Sequence, residues 1–120
     1  PIAAAGLRDL LLLFCGRRLL LRIEGRSMQP TLEPGDRVLV RRLGRKPAPS
    51  LGSVVVTWHP QNSKLRLIKR LSRWDCKGLW LLGDNPGEST DSRQLGAVPT
   101  NLLIGEVVGR LPLGESEQSR

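Results

Sequence analysis

Alternation of apolar and polar positions is the strongest local signal in this chain, and it predicts strands. From Lys64 to Trp74, Leu65, Leu67 and Leu71 alternate with Lys64, Arg66, Arg70 and Ser72, the two-residue period of a half-buried strand. Gly52 to Trp58 is a β-branched run, and His59-Pro60-Gln61-Asn62 between the two segments is a turn signal, so together they read as a hairpin. Val38 to Val40 predicts a further strand, bracketed by a Glu33-Pro34-Gly35-Asp36 turn and a basic loop running from Arg41 through Arg45, Lys46 and Pro47 to Pro49. Leu79 to Leu82 and Leu102 to Val108 predict two more, separated by a polar loop that starts at Asp84 and ends at Ser92. Ahead of all of these, residues 7–21 read as a short helix or apolar arm packed on the core. The expected fold is mainly β: one compact antiparallel domain over residues 25–113, preceded by an apolar and basic arm over 1–24 and followed by a polar tail over 114–120.

Composition narrows the partners. At 120 residues the chain is of single-domain size, with 13 Gly and 9 Pro favouring turns and short strands over a helical bundle. Its formal net charge of +8 favours anionic partners. Phe14, Trp58, Trp74 and Trp80 are the only aromatic residues, however, which is a poor supply for base stacking, so nucleic acid is not the expected partner. Cys15 and Cys76 form no CxxC pair and His59 is the single histidine, so a zinc site built from Cys and His is not expected. The two thiols read as free and mostly inert. The longest apolar run, Leu10 to Cys15, falls far short of the ~20 residues that cross a bilayer. No spanning segment is expected, and the expected location is cytoplasmic; membrane-surface contact by the 7–21 arm stays open beside core packing.

Two residues carry candidate chemistry. Alternation puts Lys69 on the face of Leu65, Leu67 and Leu71. Apolar surroundings disfavour the ammonium form and lower a lysine pKa from its unperturbed ~10.4, which yields the neutral amine a general base requires. The alternative is a lysine at a strand end that snorkels to water. Ser27 lies between Gly25, which permits positive φ or close approach, and Pro30, which stiffens the chain beyond it. Such a setting can expose a serine hydroxyl and direct its own N–H toward an oxyanion, although a plain surface loop has the same composition. With His59 alone and followed by Pro60, a Ser-His-Asp triad is poorly supported, whereas a Ser-Lys pair needs only residues already in hand.

Three ordered segments resemble a known superfamily. Gly25-Arg26-Ser27-Met28-Gln29-Pro30-Thr31-Leu32-Glu33-Pro34-Gly35-Asp36-Arg37-Val38-Leu39-Val40 is similar to the nucleophile box of the type I signal peptidases. Ile68-Lys69-Arg70 resembles their general-base box. Gly83-Asp84-Asn85-Pro86-Gly87-Glu88-Ser89-Thr90-Asp91-Ser92-Arg93, with Gly96, Val98 and Pro99, resembles their G-D-N-x-x-x-S-x-D-S-R-x-x-G-x-V-P box. The resemblance implies a coiled antiparallel β domain of the kind shared by signal peptidases and self-cleaving repressors, and a serine endopeptidase that needs no metal or cofactor. It makes Ser27 the nucleophile and oxyanion donor, Lys69 the base and Ser89 the residue that orients the lysine. It further implies a structural ion pair of Asp91 with Arg93, an approach turn at Gly83 and Asp84, and supporting places near the site for Gly25, Met28 and Pro30.

Departures from the pattern point to a branch. Gly25 stands where many members have an oxyanion-stabilising serine, and Leu71-Ser72-Arg73-Trp74-Asp75 replaces the usual G-L-P-G-D. Only residues 71–82 separate the second and third boxes, leaving no room for the second β domain of large members, and no membrane anchor is expected within residues 1–24, although one upstream of Pro1 stays open. A short, anchorless member is most similar to the nickel-type superoxide dismutase maturation proteases. That likeness implies a protein substrate, the nickel superoxide dismutase precursor, whose propeptide is removed. The alternative is a type I signal peptidase, or an organellar relative, without its anchor, cleaving signal-peptide-bearing preproteins; a more distant one is a basic nucleic-acid-binding module without catalysis. Relatives bind substrate as an extended strand, with Val38 to Val40 and Val54 to Val56 as candidate edges.

Overall fold

A computed structural model describes residues 2–14, 16–43 and 48–111. Cys15; Arg45, Lys46 and Pro47 of the basic loop; the last two residues of the domain expected over 25–113; and the tail expected over 114–120 lie outside those residues. Six strands form one sheet: β1 (Arg18–Arg22), β2 (Arg37–Arg42), β3 (Val54–His59), β4 (Asn62–Asp75), β5 (Gly78–Leu82) and β6 (Leu103–Leu111). Their order is β1-β2-β6-β3-β4-β5, and every neighbouring pair is antiparallel. The mainly β expectation therefore holds, with strand positions close to those that alternation predicts.

Residues 7–21 differ from expectation. The apolar stretch divides into a helix α1 (Leu7–Phe14) and the edge strand β1, which pairs Leu19 with Val40 and Leu21 with Val38. Arg18-Leu19-Leu20-Leu21-Arg22 has no two-residue alternation, so its strand character comes from pairing with β2. Among the described residues, no helix is long and apolar enough to cross a membrane.

The sheet buries a core on each face. Alternation along β3 sends Val54 and Val56 into one core, with Ile23, Met28, Leu32, Val38, Val40 and Val107, and Val55 into the other, with Leu71, Leu79, Leu81 and Val98. Along β4 the two cores meet around Lys69: Ile68 packs against the first and Leu71 belongs to the second. Register shifts between Leu39 and Val40 and between Leu71 and Arg73 interrupt the ladders, a local irregularity that increases strand twist and re-aims side chains.

Candidate active site

Three segments far apart in sequence converge beside Lys69. The first is the loop after β1. Gly25 has φ of +77°, a left-handed conformation that favours glycine, and beyond the half-buried Ser27, Met28 is locked into the first core with 2% of its surface exposed. The Leu32 N–H donates to the Met28 carbonyl at 2.9 Å, which closes the turn through Pro30. Ser27 is thus anchored from below by its neighbour and left accessible itself.

The second segment is β4, which carries Lys69 opposite Val55. Lys69 is 6% exposed, and burial lowers its pKa; the Asp91 carboxylate opposes that shift and the Arg93 guanidinium adds to it. The leucine-face argument holds for Leu67, Lys69 and Leu71, all buried, and fails for Leu65, which is 48% exposed. β4 outruns its cover there, because its first residues pair with β3 alone.

The third segment, residues 83–93, folds around Asp91. Its carboxylate, 1% exposed, accepts from the Gly83 N–H (2.7 Å), the Ser89 hydroxyl (2.7 Å), the Arg93 N–H and Nε (both 3.0 Å) and Arg93 Nη2 (2.5 Å). Burial alone would raise the Asp91 pKa; the hydrogen bonds from Arg93, Gly83 and Ser89 outweigh it and hold the carboxyl well below the usual range. Asp91 also caps α2 (Ser92–Leu95), closing a capping box with Gln94. Ser89 makes its hydrogen bond to Asp91, not to the Lys69 amine.

Gly83 shows how tightly these parts fit. A Cβ there would lie 2.2 Å from Ser89 Oγ and 2.8 Å from the Ser27 carbonyl oxygen, so the absence of a side chain is what lets the third segment touch the first. Ser27 and Lys69 line one groove of about 430 Å³, with Leu21 to Glu24 on one side and Lys64 to Arg66 on the other. Among the described residues no direct hydrogen bond joins their side chains; catalytic hydrogen bonds commonly tighten only in a substrate complex.

Three residues absent from the expected site, Thr31, Arg70 and Asn85, help hold the segments together. Asp84 accepts from Arg70 Nε (2.8 Å) and Nη2 (2.6 Å) and from Thr31 Oγ1 (2.6 Å), which ties the base strand to the serine loop. The Asn85 N–H donates to the Ser27 carbonyl at 2.8 Å, and Asn85 Nδ2 donates to the Arg26 carbonyl at 3.0 Å. Thr31, Arg70 and Asn85 all fall inside the resembling boxes, but spacing alone does not say which of them meet. Among the described residues no group of three His, Cys, Asp or Glu side chains gathers that could hold a metal.

The expected substrate edges need correction. Val38 to Val40 lies in β2, paired on both sides by β1 and β6, and Val54 to Val56 lies in β3, where Val55 and Val56 are paired on both sides by β4 and β6. Among the described residues, open edges include the outer side of β1 and the side of β4 away from β3 before β5 joins it at Arg70. Both border the groove.

Comparison with known proteins agrees with this architecture. A family model described as Peptidase S24-like matches residues 13–107. The mitochondrial inner membrane protease subunit 1 of Schizosaccharomyces pombe is 33% identical over 108 residues, covering 72% of this chain and 69% of that protein. The mitochondrial ATP-independent inner membrane protease subunit 1b of Arabidopsis thaliana is 33% identical over 111 residues, covering 72% and 66%. The mitochondrial inner membrane protease subunit 2 of Danio rerio is 32% identical over 107 residues, covering 70% and 58%. The match spans about two thirds of the length of the first two relatives.

Proposed function

The chain belongs to the Peptidase S24-like family, and from that premise we propose that it is a serine endopeptidase in which Ser27 and Lys69 act as a dyad to remove an N-terminal leader from a protein precursor. The observation that carries the proposal is the placement of the buried Lys69, its pKa lowered by desolvation, in the same groove as the accessible Ser27. The neutral Lys69 amine takes the proton from Ser27 Oγ as the oxygen attacks the peptide carbonyl carbon. The same nitrogen then returns that proton to the leaving amine. Water, deprotonated in turn by Lys69, hydrolyses the acyl-enzyme and restores both residues. The Ser27 N–H is the candidate donor to the developing oxyanion. Asp91, fixed by Arg93 and Gly83, also accepts from the Ser89 hydroxyl, whose oxygen keeps the capacity to accept from the Lys69 amine in the proposed mechanism.

For the substrate, the relatives favour a signal-peptidase-type reading, as their names are those of inner membrane protease subunits. The nickel superoxide dismutase precursor expected from the sequence finds no support among them. The test is the intact mass of both kinds of precursor after incubation with this chain and with its Ser27→Ala variant. Clipping of a signal-peptide-bearing preprotein by the parent chain alone is the expected result. Release of the dismutase propeptide instead would restore the first substrate reading. Equal masses in every arm would overturn the proposed activity.

A further inference from the structure

The groove beside Ser27 and Lys69 has walls of uneven charge. Arg22 and Glu24 stand on the β1 side, and Lys64 and Arg66 on the β4 side. All four are exposed. Three cations and one carboxylate thus border the groove. Among the described residues neither Arg22 nor Lys64 enters an ion pair. Arg66 spends its guanidinium face on the Trp58 ring, 5.3 Å from its centroid, which orders the side chain without neutralising it. Two cations behind the site are matched, Arg70 by Asp84 and Arg93 by Asp91. Unmatched positive charge remains along the groove rim.

We propose that this rim selects an acidic side chain in the bound peptide, with Lys64 and Arg66 as the specificity-determining residues and Arg22 as their counterpart across the groove. The inference rests on the peptidase reading above and adds the class of sequence that the groove accepts. A peptide strand lying between the outer side of β1 and the unpaired side of β4 runs parallel to the line from Lys69 back to Lys64. Strand residues advance by about 3.3 Å, so Arg66 and Lys64 stand roughly 10 and 16 Å from Lys69 along β4. The selected Asp or Glu accordingly lies three to five residues from the cleaved bond, on the side held in this groove. A lysine at the same place meets three cations. Because the rim is exposed, each contact is worth a factor of only about two to five, and added salt weakens it.

A randomised pool of twelve-residue peptides, incubated with the chain and read by mass spectrometry of the products, tests the assignment. Ser27→Ala supplies the blank. The expected result is a roughly three- to tenfold enrichment of Asp and Glu over Asn, and a depletion of Lys and Arg, at one or two positions three to five residues from the cut. Both effects should shrink between low and high salt. In the Lys64→Glu/Arg66→Glu variant the preference should reverse toward Lys and Arg, with thermal unfolding measured alongside to confirm that the variant folds. Cleavage without charge preference, or a preference for acidic residues that survives the double reversal in a folded protein, overturns the inference and leaves the peptidase reading standing. Binding to anionic lipid vesicles that depends on Arg66, with no charge preference among cleaved peptides, also overturns it by giving the rim to a membrane. No Ser27-dependent cleavage of any peptide would remove the peptidase reading and this inference together.

Discussion

The back and the front of the groove use charge in opposite ways. Behind Lys69, Asp91 is buried and accepts five hydrogen bonds from residues 83, 89 and 93, while Asp84 binds Arg70 through two nitrogens and Thr31 through a third donor. In front, Arg22, Lys64 and Arg66 stand in solvent, and among the described residues their side chains make one pairing interaction, the cation–π contact of Arg66 with Trp58. A buried, fully bonded carboxylate is costly to disturb because its partners lose their only compensation for desolvation. An exposed, unpaired cation contributes little to stability and stays available to a ligand. The back fixes geometry, and the front remains free to read what enters.

Removing the proposed reacting groups gives the largest expected effect. Ser27→Ala and Lys69→Ala should each lower cleavage by about 10³-fold or more while circular dichroism stays unchanged. Full activity of Lys69→Ala at neutral pH would rule out its role as base. Asp91→Ala should cost about 2–4 kcal/mol in urea denaturation, because it strands the Gly83 N–H and frees Arg93. A loss within ~0.5 kcal/mol, the usual range for surface changes, would mean that the carboxylate does not hold the segment together. Gly83→Ala should lower kcat/KM by about 100-fold, since the methyl group must push Ser89 or Ser27 off position. Unchanged kinetics there would show the contact between the two segments to be dispensable.

Smaller effects follow from Lys69 titration. Its pKa is lowered by burial, so the folded chain binds fewer protons than the unfolded chain between that lowered value and the ordinary lysine range. Stability therefore rises with pH across this window, and the full penalty is present below it. Lys69→Met should flatten the slope in denaturation curves taken at several pH values. In the parent chain, kcat/KM should fall as pH falls through the lowered pKa, because protonation removes the base; an acid limb at the ordinary lysine value would contradict the desolvated setting. The least expected change is Arg70→Lys. It replaces a two-nitrogen contact to Asp84 with a single ammonium and should cost about 1 kcal/mol at this partly exposed pair.

Much of this molecule was legible in its residues, and the exceptions share a cause. Strands β2 to β6 follow from alternation, β-branched runs and turn residues, all of which act over a few neighbouring positions. β1 was not legible, because Leu19-Leu20-Leu21 carries no period of its own and becomes a strand only by pairing with Val38 to Val40. Ser27 and Lys69 stood out as candidates through local setting and through the boxes that contain them. The Thr31–Asp84 contact spans 53 positions, and the Arg70–Asp84 pair 14, so no local pattern carries either.

What the residues determined by themselves is therefore the strand content from β2 to β6 and the local settings that made Lys69 and Ser27 candidates. Each depends on the periodicity or conformational limits of a short segment. Tertiary structure alone decided which strand edges stay open, that Gly83 lies against both serines, and that the charges of the region divide into a paired back and an unpaired rim. Those outcomes depend on which segments meet after the sheet has closed its two cores. Chain separation carries no record of that, because the contacts are made by packing and not by sequence proximity.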